Sequence, residues 1–119
     1  VDRIDHGVNS LEDEALCKEI IKQGLTLTVC PISNGYVTAS KKTDEIKAML
    51  DKGMRVTVNS DDPAYFPGYM TENLIATQKG ANLSEKEILQ LVKNAFDGSW
   101  QPIEAIEIMN QKLDDYAAG

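Results

Sequence analysis

A chain of 119 residues, 42% hydrophobic and 26% charged, has the composition of an ordinary globular protein. It is long enough for one domain with a real core and short of the roughly 250 residues of a complete α/β barrel. The formal net charge of -7 argues against a nucleic-acid or anionic-membrane surface, because both need clustered Lys and Arg.

No apolar run approaches the roughly 20 residues of a membrane span, and no signal-peptide pattern is visible. Cys17 and Cys30 fit neither a zinc spacing nor a dense disulfide framework. Buried free thiols and a cytoplasmic location are therefore expected. The chain opens on Val1 rather than Met, so either a leader was trimmed or this is a piece of a longer protein.

In chain order, residues 1–6 read as a short strand ending at His6-Gly7. Ser10, with Asp13 three positions on, resembles a capping box opening a helix to about residue 23. Leu11, Ala15, Leu16 and Ile20 are expected on its buried side, and Gly24 supplies a left-handed stop. Residues 25–30 are a compact apolar, β-branched run, expected as a strand covered on both faces. Pro31 ends it, and residues 33–42 read as a polar loop. Thr43 is placed to cap a short helix with Asp44 and Glu45 in its positive first turn, closed by Gly53.

Residues 54–59 form a third strand. A Pro- and aromatic-bearing loop spans 60–68, and a helix from about residue 69 to 79 is expected to stop at Gly80. Ser84 and Glu87 make the clearest capping box, and the helix behind them is expected to bury Ile88, Leu91, Val92, Ala95 and Phe96. After Gly98, Pro102 marks a helix start, with Ile103, Ile106, Met109, Leu113 and Tyr116 on one face. Trp100 and the helical Met and Ile residues are expected in the core. The acidic runs at 12–14 and 114–115 are expected on solvated faces.

The order β-α-β-α-β-α-α-α predicts parallel strands with crossover connections. Three such strands leave two bare edges and need more helices than this chain owns. Residues 1–119 are therefore expected to be a single partial domain, missing strands and able to self-associate through its sheet edges.

Two segments carry chemistry. In Val58-Asn59-Ser60-Asp61-Asp62-Pro63, adjacent carboxylates follow a strand. Side chains alternate there, so Asp61 and Asp62 are expected to point apart, one toward a cation and one toward a ligand. Arg3-Ile4-Asp5-His6-Gly7 carries the only histidine. A lone histidine is more often just a polar residue at a strand end, and Asp-Asp-Pro is also a turn former. Cys30-Pro31 reads as a strand end and turn, with no basic partner adjacent to make a nucleophile. Ser33 and Asn34 read equally well as pocket lining or plain loop, and Glu72 and Asn73 are open in the same way.

Together with Val29-Cys30-Pro31-Ile32-Ser33-Asn34, these segments resemble the last three strand motifs of the adenosine/adenine deaminase family. That family is a zinc-dependent (β/α)8 barrel that deaminates purines. Asp5, where the adenosine enzymes usually carry Gly, and the continuation Ala64-Tyr65-Phe66 resemble the adenine deaminase branch more. The resemblance implies an α/β fold, the C-terminal part of a TIM barrel covering about strands six to eight. It implies hydrolytic deamination of adenine, or an adenosine-type purine, to hypoxanthine or an inosine-type product by a zinc-activated water.

By the same resemblance, His6 orients that water and shuttles protons, Asp61 is a catalytic residue and zinc ligand, and Asp62 engages N7 of the purine. The family's His-x-His pair, third histidine ligand and glutamate acid come from earlier strands. With one histidine here, Zn2+ is expected in the longer enzyme and not held tightly by this piece, which alone is expected to be inactive. Two alternatives remain: a non-catalytic half-barrel that associates with a partner, and, ranked lower, a Mg-dependent phosphoacceptor domain. The latter expects its acid pair on the first strand.

Overall fold

The structure is a computed structural model describing residues 1–119. Strand β1 is Arg3–Ile4, β2 is Thr26–Val29 and β3 is Arg55–Val58. They form one parallel sheet in the order β1-β2-β3, with Leu27 opposite Val56 and Val29 opposite Val58. The sheet is not closed. The helices are α1 (Glu14–Gln23), α2 (Pro31–Thr38), α3 (Thr43–Asp51), α4 (Met70–Ala81), α5 (Glu85–Asp97) and α6 (Ile103–Ala118). None is long and apolar enough to cross a membrane.

The alternation Leu27/Val29 and Val56/Val58 puts four apolar side chains on one face, each no more than 2% exposed. They join Cys17 and Ile20 of α1, Ile46 and Met49 of α3, Leu91 of α5, and Met54 and Leu83 in one cluster. α5 packs along β3, where the buried Asn94 donates its Nδ2 to the Val56 carbonyl at 2.8 Å. The other face is covered only in part. Thr26 lies against Gly98, where a Cβ would sit 2.4 Å from Thr26 Oγ1, but Thr28 is half-buried and Asp5 exposed. Covering on both faces of β2 is therefore incomplete toward its C-terminal end.

Several boundaries differ from the sequence reading. Ser10 does not cap α1. It sits in a 3-10 turn, Gly7–Glu12, with its hydroxyl donating to the Gly7 carbonyl, and Asp13 caps instead by accepting from the Ala15 and Leu16 amides. A 3-10 turn has three residues per turn, so its phase does not carry into the helix. Leu16 is consequently 46% exposed, Ala15 is exposed, and Cys17 and Ile20 face inward.

The expected loop at 33–42 is helical over its first part, because Pro31 occupies the first helical turn where its missing N–H costs nothing. Lys42, with φ 58°, is the cap residue of α3, and Thr43 is its first helical residue. α4 runs through Gly80 to Ala81, and Asn82, with φ 52°, takes the left-handed turn. Gly80 instead allows close packing, since a Cβ there would lie 2.5 Å from Thr43 Oγ1.

Trp100 is 74% exposed, its ring under the Arg3 guanidinium at 4.7 Å. Ile103, Ile108 and Tyr116 of α6 are also exposed, and no α6 residue is buried. An apolar stripe buries only where a partner surface exists, and α6 packs chiefly on α5. Both cysteines are buried and free, as expected.

Candidate functional site

The site is built where the chain leaves the C-terminal ends of the strands. After Ile4 the chain turns sharply, and His6 takes a left-handed conformation, φ 53° and ψ 44°. Gly7 follows with close packing: a Cβ there would lie 2.5 Å from Leu27 Cδ2, and that side chain would have to shift. The turn is held by a polar relay across the open face of the sheet. The His6 amide donates to Thr28 Oγ1 at 3.3 Å, the Thr28 hydroxyl donates to Asp5 Oδ1 at 3.1 Å, and Arg3 Nε donates to the same oxygen at 3.0 Å. The bond from Thr28, followed by that from Arg3, holds the Asp5 carboxyl below its usual range.

β3 delivers the second group. The Asn59 amide extends the pairing by donating to the Val29 carbonyl at 2.9 Å. Asp61 then turns with φ 60°. Left-handed backbone is uncommon outside glycine, although Asp and His tolerate it better than most. Its appearance at both His6 and Asp61 is the kind of local strain that collects at functional positions.

Asp61 Oδ2 accepts a hydrogen bond from the Ser33 hydroxyl at 2.6 Å. The two carboxylates diverge. Asp62 is exposed, its Oδ1 accepts from the Ala64 amide at 3.2 Å, and its carbonyl accepts from the Tyr65 and Phe66 amides. Asp62, rather than Asp61, is the turn former.

A ring nitrogen of His6, the Sγ of Cys30 and a carboxylate oxygen of Asp61 all lie within 4.8 Å of one another. His6 and Asp61 line two hollows. One, about 400 Å³, is shared with Ser33, Asn34 and Phe66; the other, about 480 Å³, opens onto the polar face at Asp5, Thr28 and Cys30. The sequence showed no basic partner beside Cys30, and the fold corrects this by bringing His6 close. Cys30 is still no nucleophile: burial, with the Asp61 and Asp5 charges adding, pushes its thiol up to about 11. Asp62 lines neither hollow.

The donor chemistry fits part of a zinc site. Imidazole nitrogen and carboxylate oxygen are ligands zinc takes, and one Asp61 oxygen is engaged by Ser33 while the other has no hydrogen-bond partner in the chain. A closed site needs donors beyond these. From the sequence alone Ser33 and Asn73 read equally well as pocket lining or plain loop. Asn73 proves wholly buried, accepting the Ile32 amide on its Oδ1 at 3.2 Å and donating from Nδ2 to the Tyr69 carbonyl at 2.9 Å. The available signal for Ser33 was Pro31, which marks a helix start two residues earlier.

The sequence profile described as adenosine deaminase matches residues 1–116. An adenine deaminase from Chlorobium luteolum is 46% identical over 121 aligned residues, which take in 100% of this chain and 36% of that protein. The crystal structure of adenine deaminase from Arthrobacter aurescens superimposes with a TM-score of 0.92 at 32% identity, over 100% of this chain and 37% of the other. An amidohydrolase from Burkholderia ambifaria, solved with bound Zn, gives a TM-score of 0.83 at 22% identity, over 99% of this chain and 35% of that one, a likeness of fold. This chain thus spans about a third of the length of these proteins and matches the C-terminal part of their barrels.

Proposed function

This chain belongs to the adenosine deaminase family, and on that premise we propose that it supplies three strand ends of an adenine-deaminating (β/α)8 barrel. The reaction is hydrolytic: water replaces the 6-amino group, giving hypoxanthine and ammonia. The observation that carries this reading is the convergence of His6 and Asp61 from the two outer strands, β1 and β3. Active groups of such barrels gather at the C-terminal ends of their strands.

Zinc, when bound, supplies a Lewis acid that makes a water nucleophilic near neutral pH. Asp61 offers it a carboxylate oxygen. His6 stands beside that position to orient the attacking water and to hold or pass a proton. Asp62, which lines neither hollow of this chain and caps the turn beyond through Oδ1, would meet N7 of the purine in the complete barrel. The remaining metal ligands and the acid at N1 come from the N-terminal part of the barrel, which makes residues 1–119 one partial domain of the enzyme. Taken alone this piece is inactive, and its open edges at β1 and β3 give it a route to self-association.

Two measurements test the reading. Metal analysis of the purified 119-residue chain should find well under one zinc per chain. In the longer protein, Asp61→Ala should abolish zinc retention and deamination together, whereas Asp62→Asn should keep the metal and lose turnover. Full activity in both variants would refute the assignment.

A further inference from the structure

Asp61 is exposed and stands on a left-handed residue at the end of a strand, and no group of its own loop hydrogen-bonds its carboxylate. Its side-chain hydrogen bond comes from another element. Ser33, in the first turn of α2 and 3% exposed, donates from Oγ to Asp61 Oδ2 at 2.6 Å. That is the short distance expected of a hydroxyl bonded to an ionised carboxylate, the stronger class of hydrogen bond.

The turn carrying Ser33 is itself held from the far side of the loop. The Ile32 amide donates to Asn73 Oδ1, and Asn73, with no exposed surface, is anchored through Nδ2 to the Tyr69 carbonyl. α2 is therefore tied to the chain before the 62–68 loop by Ser33 and to the chain after it through Asn73.

We infer that Ser33 is a positioning residue for Asp61, holding one carboxylate oxygen so that the other is presented to the metal. The inference rests on the reading of Asp61 given above. Groups around a metal site that orient its ligands act in this way: a ligand whose rotamer is already set loses less freedom on binding, and its charge is aimed before the ion arrives. The hydroxyl suits the task because it engages a single oxygen; a cationic partner in its place would compete with the metal for the carboxylate.

The test uses the full-length, zinc-loaded protein containing this chain. Zinc affinity is measured by competition with a chelator, and kcat and KM for adenine are measured separately, in Ser33→Ala, Ser33→Thr and Asp61→Ala. Ser33→Ala should lower zinc affinity or kcat by about 10–100-fold, the usual consequence of removing such a partner, with KM changing much less. Ser33→Thr, which keeps the hydroxyl, should restore most of the loss.

A Ser33→Ala protein with unchanged zinc affinity and kcat overturns the inference, and so does a lowered melting temperature with no change in either. If Ser33→Ala does not fold, Ser33→Cys, close in volume and only a weak donor, should show the same loss; wild-type behaviour overturns the inference there too. Asp61→Ala separates the two claims: if it keeps zinc and turnover the functional reading fails, whereas if it loses both while Ser33→Ala does not, only the role of Ser33 fails.

Discussion

The two faces of the same three strands are built to different rules. On the helix-covered face Leu27, Val29, Val56 and Val58 are at most 2% exposed and make no polar contact through their side chains. On the other face Arg3, Asp5 and Thr28 are linked by hydrogen bonds in the open, and the chain leaves this sheet through strained turns at His6 and Asp61. Strand alternation separates the two tasks at a spacing of one residue. Burial on one side holds the backbone, and that rigidity lets the other side keep polar, ionisable and left-handed residues in place. Stability and chemistry should therefore respond to different substitutions, even at neighbouring positions.

The largest effect on that contrast should come from Leu27→Ala. Emptying a fully buried leucine site costs about 2–5 kcal/mol, read as a lower denaturant midpoint with little change in slope. A loss below about 1 kcal/mol would mean the covered face is not what holds the sheet. Gly7→Ala should follow, since it joins the two faces: the new Cβ meets Leu27 Cδ2 at 2.5 Å. An overpacking cost of about 1–3 kcal/mol is expected, and the His6 backbone resonances should shift.

Thr28→Val, next to Leu27 but on the open face, should change the unfolding free energy least. It removes the main bond that lowers the Asp5 pKa, so the Asp5 titration followed by NMR should move upward. The sign follows from linkage. Asp5 is more acidic in the fold than in the unfolded chain, so its contribution is present above the ordinary carboxylate range and fades as pH falls through the lowered value. The variant should lack that part of the acid limb; an unmoved Asp5 titration would break the relay drawn from His6 to Arg3.

The same contrast explains what could be read early. The runs at 25–30 and 54–59 are apolar and β-branched, and Ser84 with Glu87 is a reciprocal cap that the structure reproduces. These are local signals. α2 is not legible in the sequence because Ser33, Asn34, Gly35, Val37 and Thr38 are poor helix formers without an apolar period; Pro31 at its start and the bonds the helix donates to Asn73 and Asp61 hold it. Trp100 misled for the opposite reason. Its size predicts burial, but burial needs a covering surface, and in this chain Arg3 provides only a cation over the ring.

By itself the sequence determined the succession of elements, the parallel character of the sheet and the motifs that place the chain in its family, because each is written in residues a few positions apart. The tertiary structure decided that His6, Cys30 and Asp61 share one spot, that Asp62 turns away from them, and that a buried serine on a helix grips Asp61. Those facts depend on strand register and on how helices seat against the sheet. Register and seating are set by packing between residues far apart along the chain, and no local pattern records them.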